Sequence, residues 1–316
     1  MSTQHQVQLI RIEAAQKGQR VDNFLMRVLK GVPRSHVYRV IRRGEVRVNK
    51  KRCKPETRLE IGDLVRVPPF IGSDQTQIPR PSPGLAQLLR DSVLFEDEQL
   101  LIINKPAGIA VHGGSGIRLG LIEAVRQVSD EWARAELAHR LDRDTSGCIV
   151  LCKNMSYLKE IQQQLKAKTV HKHYLALVHG HWPKHLREID APLQKNTLSS
   201  GERMVRVDPA GKASRTSFRV LEHLPGVSLV EAMPATGRTH QIRVHCEYAG
   251  HPIVGDPKYG DDRSKSGLGS YPGVNKLCLH AWKISFSRQG GGGLVHAQAD
   301  PPENLQNLLL QLRKND

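Results

Sequence analysis

Residues 138–147, AHRLDRDTSG, crowd His139, Arg140, Asp142, Arg143, Asp144, Thr145 and Ser146 into eight positions just ahead of the apolar run CIVLC. Charged groups at the mouth of an apolar strand commonly line a site, because a loop on a rigid scaffold can present them to a ligand. Two more polar clusters interrupt apolar segments, KPAGIAVHGGSG at 105–116 and TGRTHQIRVH at 236–245. By residue type alone, the middle cluster is open to three interpretations. It is a solvated loop in which Asp142 or Asp144 caps a turn, a carboxylate pair for glycoside hydrolysis, or an Asp-x-Asp metal site. A glycosidase pair needs roughly 5–9 Å between carboxyls and one raised pKa, which spacing cannot show. A metal would call for more acidic ligands, and the surroundings are cationic.

The charge balance points to a polyanionic partner. Among 316 residues, 47 Lys and Arg face 31 Asp and Glu, a net charge of +16, and such an excess is the electrostatic footprint of nucleic-acid binding. It is concentrated at the start, where residues 1–70 carry 16 basic and 6 acidic side chains. No stretch approaches the roughly 18 apolar residues of a membrane span, and the first residues lack a signal peptide's apolar core, so a cytoplasmic protein without membrane contact is expected. Cys53, Cys148, Cys152, Cys246 and Cys278 are scattered without a CxxC, which argues against a disulfide framework or a thiolate zinc site. The pairs His171 with His173, His179 with His181, and His240 with His245 lack acidic or thiolate companions at ligand spacing, so no metal is expected. Phosphate contacts or packing suit these histidines better, and Cys148 and Cys152 suit a buried strand.

These clusters must be positioned by regular elements. Residues 19–68 read as two short helices and a hairpin. Val37, Val40 and Ile41 fall at i, i+3 and i+4, while Arg39, Arg42 and Arg43 repeat that spacing on another face. Gly44 ends the helix, EVRVNKKRCKP enters a turn bearing Lys50, Lys51 and Arg52, and LEIGDLVRVPP is its partner. A small N-terminal domain (1–68), a proline-rich linker (69–84) and a large domain (85–316) follow. In the large domain VLFEDEQLLIINKP, GCIVLCKN, HYLALVHG, SFRVLEHL, VSLVEAMPAT and AWKISFS predict strands, and 121–128, 157–166 and the segment after Pro301 and Pro302 predict helices. The fold class is α+β with a mainly antiparallel sheet.

HRLDRDTSG resembles the central motif of the pseudouridine synthases that share HRLDxxTSG, all seven fixed positions being met. KPAGIAVHGG, KHYLALVHG (172–180), GRTHQIRVH and HPIVGDPKYG support the resemblance in the family's order, and the N-terminal module is similar to the S4 RNA-binding fold. Within the family, NFLMRVLKGVPRSHVYRVIRRGEVRVNKKR, HGGSG and SGERMVRV are most similar to bacterial members acting on large-subunit ribosomal RNA. The resemblance implies that Asp142 is the catalytic aspartate, that Asp144 fills a variable position, and that Tyr174 is the family tyrosine. It further implies that Arg243 pairs with the aspartate and that Arg140 enters the space left by an extruded base. Without it, Tyr174 is equally a core tyrosine and Arg243 a surface cation.

The implied chemistry breaks the C1′–N1 bond of uridine, turns the uracil and joins C5 to C1′, a redox-neutral isomerisation for which no cofactor is expected. It needs one carboxylate beside the ribose, as nucleophile at C1′ or base at C2′. An arginine against that carboxylate favours its charged form, a tyrosine face can stack the uracil, and an inserted arginine can support base flipping. The expected partner is 23S ribosomal RNA or its precursor, gripped by Arg39, Arg42, Arg43, Lys50, Lys51 and Arg52, with the protein a monomer. Two rivals stay open at this point: the same reaction on tRNA or other rRNA sites, and a non-catalytic S4-type ribosome assembly factor.

Overall fold

A computed structural model describes residues 7–29, 32, 34–69, 79–114, 117–197, 203–260, 276–288 and 292–314 of the chain, which divides into compact units at 1–79 and 80–316. Residues 70–78 of the expected linker, 115–116 of HGGSG and 200–202 of SGERMVRV lie outside the described residues.

In the N-terminal unit α1 (Val21–Val28) and α2 (Arg34–Arg42) pack on an antiparallel sheet of β1 (Gln8–Arg11), β2 (Arg47–Val48), β3 (Lys51–Arg52) and β4 (Leu64–Val67), in the order β1-β4-β2-β3. Val37, Val40 and Ile41 are buried against Phe24 and Leu25 of α1, while Arg39, Arg42 and Arg43 stay exposed. The β2–β3 turn is tight because Asn49 and Lys50 both take positive φ, 50° and 67°, which matches the strand twist of a two-residue hairpin. Gly44, at φ 72°, stops α2, and a side chain there would run into Arg52, whose guanidinium lies against the end of that helix. Asp22 is buried and accepts from Arg20 and from the Tyr38 hydroxyl, tying α1 to α2. The Arg20 hydrogen bonds hold its carboxyl below the usual range. Strand β1 lies upstream of the predicted module. Its four residues form an edge with Leu9 turned to solvent, so no alternation announces it.

Among the described residues, the main sheet of the large unit has ten strands. In chain order they are β5 (Val93–Glu96), β6 (Leu100–Lys105), β7 (Glu136–Leu137), β8 (Ser146–Cys152), β9 (His171–His179), β10 (Glu188–Asp190), β13 (Arg215–Leu224), β14 (Val227–Pro234), β15 (Leu279–Ser287) and β16 (Leu294–Gln298); between them β11 (Leu193–Thr197) and β12 (Arg203–Val207) form a separate hairpin. The main order is β10-β13-β14-β9-β15-β8-β6-β5, with β16 on β15 and β7 on β8. Among these strands every pairing is antiparallel except β8 with β15. All seven residues of β8 are buried, because helices cover both faces. On one side α3 (Pro83–Asp91) and α4 (Leu121–Val125) bring Leu89, Leu121 and Val125 to Ile149 and Leu151; on the other α5 (Met155–Ala167) brings Tyr157, Leu158 and Ile161 to Val150 and Cys152. A strand covered on both faces reads as an unbroken apolar run, as CIVLC does. The last helix, α7 (Glu303–Lys314), lays Leu305, Leu308, Leu309 and Leu312 on the β9–β14 side.

Three boundaries differ from expectation. Pro83 and Gly84, assigned to the linker, open α3, where Ser82 caps the Leu85 amide and proline suits the first turn. Helix α4 stops at Val125, three residues short. TGRTHQIRVH, a polar cluster to which no helix was assigned, enters α6 (Gln241–Tyr248).

The parallel join of β8 and β15 depends on Gly147. Its φ is 108°, and a Cβ there would lie 2.2 Å from the Ala281 carbonyl oxygen. Backbone strain and a collision with fixed main chain act together, so Gly147→Ala is expected to lose about 3 kcal/mol or more in urea unfolding. An unchanged unfolding midpoint would show that the two strands can part without cost.

Candidate active site

The HRLD segment is held by its apolar and neutral members so that its charged ones face outward. Leu141 is buried in the core under α4. His139 Nε2 accepts from the Val150 amide at 3.1 Å and so continues, with a ring, the β7–β8 ladder. Burial pushes the His139 pKa down to about 4, helped by the charge of Lys172, which keeps the accepting nitrogen unprotonated. Behind the loop, the buried Ser146 hydroxyl meets His280 Nδ1 at 2.9 Å, and His280 Nε2 meets the Ala299 carbonyl at 3.0 Å.

A second clamp comes from KPAG. Lys105 is fully buried, and its ammonium donates to the carbonyls of Pro106, Ile109 and Arg143 at 2.8, 2.9 and 3.0 Å. Burial lowers its pKa to about 8 against the opposing pull of Asp144 and Asp142. The Gly108 amide reaches the same Arg143 carbonyl, so the two polar loops are joined through one oxygen.

The third cluster supplies the arginine. Gln241 accepts from Thr236 and from the Arg238 amide and donates to Thr216 and the Arg215 carbonyl, which fixes the first turn of α6. His240, in the left-handed region at φ 54°, turns the chain into that helix. Arg243 is then buried, not the surface cation that its residue type left open. Its Nε and Nη2 each donate to Asp256 at 2.7 Å, and its Nη1 lies 3.6 Å from Asp142 Oδ2. Its tight partner is therefore Asp256, and Asp142 is the looser one. Burial alone would raise the Asp256 carboxyl, but the Arg243 hydrogen bonds and the Tyr259 and Lys258 amides outweigh it, and the group is lowered.

One cleft collects Arg140, Asp142, Lys172, Tyr174, His240 and Arg243. Tyr174 reaches it from β9, and burial, with the nearby Asp142 charge, raises its phenol well above the ordinary value. His240 Nε2 is 3.9 Å from Asp142 Oδ2, and its Nδ1 is 2.8 Å from the Tyr259 hydroxyl, which also accepts from the Val205 amide. Burial lowers the His240 pKa. Asp144 lies outside this cleft, half exposed beside Arg143. Arg39, Arg42, Arg43, Lys50, Lys51 and Arg52 belong to the N-terminal unit and are all exposed there. Sequence reasoning missed Asp256, Tyr259, His240 and Lys105 as site residues, although HPIVGDPKYG and KPAG contained three of them. His245, paired with His240 as a candidate ligand, is buried between Thr216 and the Ala191 carbonyl. Among the described residues no group of three His, Cys, Asp or Glu could hold a metal ion, and no helix is long and apolar enough to cross a membrane.

Residues 99–248 match the family described as RNA pseudouridylate synthase, and residues 19–65 match the S4 domain. The chain is 48% identical over 311 residues to the ribosomal large subunit pseudouridine synthase C of Escherichia coli, covering 97% of each. It is 48% identical over 314 residues to the protein of that name from Haemophilus influenzae, covering 98% of this chain and 96% of the relative. Among solved structures, human RNA pseudouridylate synthase domain containing 4 aligns with a TM-score of 0.60 at 26% identity, covering 73% of this chain and 96% of its own. The human domain containing 1 protein aligns at 0.56 and 27%, covering 74% and 98%.

The His139 ring makes the site's anchoring sensitive to acid. Its pKa is about 4 in the fold and near 6.5 when unfolded, so between these values the unfolded chain binds a proton that the native one refuses. Stability from this group is therefore complete above pH 6.5 and falls as pH drops toward 4, by about 3 kcal/mol over the window. In His139→Gln the amide oxygen can accept from Val150 without titrating. Urea unfolding at pH 7 and 4.5 should show a shallower loss in that variant, and equal losses would refute the assignment.

Proposed function

The chain belongs to the RNA pseudouridylate synthase family, and from that premise we propose that it isomerises specific uridines of 23S ribosomal RNA to pseudouridine, as a monomer in the cytoplasm. The observation that carries the residue roles is the single cleft in which Asp142, Tyr174 and Arg243 meet.

Asp142 is the carboxylate that acts on the ribose, either attacking C1′ as the C1′–N1 bond breaks or taking the C2′ proton. The freed uracil then turns and C5 bonds to C1′, either displacing the Asp142 carboxylate as its bond to C1′ breaks or adding while Asp142 returns the proton to C2′; the C5 proton then leaves as N1 gains one, so atoms and charge balance without a redox partner. Arg243 faces Asp142 across 3.6 Å with an orientation set by Asp256. Tyr174, its phenol held neutral by burial, offers a ring for stacking and a hydroxyl rather than a phenolate near C5. Arg140, exposed at the cleft edge, fills the gap left in the RNA stack by the flipped nucleotide.

Residues 1–68 act as the RNA grip, and the segment ahead of α3 joins them to the catalytic domain. The exposed Arg39, Arg42 and Arg43, with the hairpin cations Lys50, Lys51 and Arg52, serve phosphate contacts that position without reading sequence.

Two experiments test these roles. Pseudouridines are mapped in 23S rRNA from cells lacking the gene and complemented with parent, Asp142→Asn or Asp144→Asn. The parent and Asp144→Asn should restore modified sites and Asp142→Asn should restore none; equal loss in both variants would revive the paired-carboxylate chemistry. Replacing Arg39, Arg42 and Arg43 together by Gln should weaken rRNA binding and flatten its salt dependence, by roughly 0.7–0.9 in log–log slope for each phosphate that is no longer neutralised. An unchanged slope would leave the cationic face a solvated surface.

A further inference from the structure

Lys172, half-buried, differs from Lys105 and Arg243, the buried cations described above. Lys105 has three carbonyls and Arg243 has two carboxylates. The neighbouring His173 is bonded to Glu231, which also takes Arg219. Lys172 is half-buried, and burial lowers its pKa; among the described residues it forms no ion pair and no side-chain hydrogen bond. A shielded ammonium without a counter-charge costs free energy, so the fold alone gives no reason for a lysine there.

Its position supplies one. Lys172 and Tyr174 are two residues apart on β9 and project from the same face, with their backbones about 7 Å apart. That spacing is of the order that separates a base from the phosphate of its own nucleotide. Lys172 lines the cleft that holds Asp142 and Tyr174, and it also lines an adjoining cleft with Lys168, His171, His173 and Arg215. It is therefore the cation at the passage between the catalytic cleft and a second, basic one.

We propose that Lys172 anchors the backbone phosphate next to the extruded uridine, and that the adjoining basic cleft carries the RNA strand away from the catalytic one. The anchor rests on the assignment of the cleft to uridine isomerisation. An incoming phosphate supplies the counter-charge that the free protein lacks, so binding energy is gained at the atom next to the reacting ribose and orients it.

The test compares the full-length parent with Lys172→Met and Lys172→Arg on a short RNA bearing a mapped target uridine. Parallel RNAs carry one uncharged methylphosphonate at either flanking linkage. Lys172→Met should raise KM about tenfold, with the loss falling on KM rather than on kcat, and Lys172→Arg should recover most of it. One of the two methylphosphonates should raise the parent's KM by a similar factor and add almost nothing in Lys172→Met. Without RNA, Lys172→Met should melt at the parent's temperature or above, because an uncompensated charge has been removed. A lower melting temperature would make Lys172 structural, while additive penalties or an unchanged KM would remove the phosphate contact; any of these overturns the proposal. Absence of pseudouridine with the parent is a separate failure, of the functional assignment. In that case affinities of parent and Lys172→Met for an oligouridylate, measured by anisotropy, still decide the anchor.

Discussion

The buried fork between Arg243 and Asp256 is the interaction on which the rest of the cleft depends. Two parallel N–H bonds fix the plane of the guanidinium, and the nitrogen left over faces Asp142. A pair this shielded gains little net stability, since desolvation offsets most of the attraction, yet removing either partner strands a charge at a cost of about 3–5 kcal/mol. Its contribution is geometric. Asp256 is itself held by the Lys258 and Tyr259 amides, and Tyr259 closes the circuit through His240, the residue that turns the chain into α6. Six of the eight residues of that helix are buried, so the arginine cannot swing with a mobile segment.

The HRLD loop opposite is secured by different means suited to its sequence. Apart from the buried Leu141 it has little apolar surface to bury; instead Lys105 grips the Arg143 carbonyl, the neutral His139 ring takes the Val150 amide, and the Ser146 hydroxyl meets His280. The first two use a polar side chain to satisfy a main-chain group. Asp142 can thus stay partly open to the cleft while the residues on both sides of it are immobilised.

Much of this was legible in the sequence, and the gaps have physical causes. Asp142, Tyr174 and Arg243 sit in dense motifs, and the long strands announced themselves by alternation or by unbroken apolar runs. Helix α6 did not, because Ile242, Val244 and Cys246 alternate as in a strand; the helix is buried nearly all round and shows no amphipathic stripe. Asp256 and Tyr259 lie in a turn without periodicity, and only the three-dimensional partner of Arg243 reveals why they matter. Helix α3 was hidden by prolines that suit both a linker and a first helical turn. No spacing rule singles out Lys105 or Lys172, since a lysine stands out only when its surroundings are seen to be dry.

The strand that carries the HRLD loop takes its neighbours from distant parts of the chain. On one side of β8 lies β6, close in sequence; on the other lies β15, and the buried Ser146–His280 contact joins residues 134 apart. His280 is completed in turn by Ala299, near the final helix. Such distant pairing is slow to form because a long loop must close before any contact compensates. During synthesis the N-terminal unit, whose strands pair within residues 8–67, can therefore become native while the ribosome is still making the rest, whereas the floor of the catalytic cleft must wait until Ala299 has emerged. A nascent chain would gain its affinity for nucleic acid well before it gained any ability to act on it.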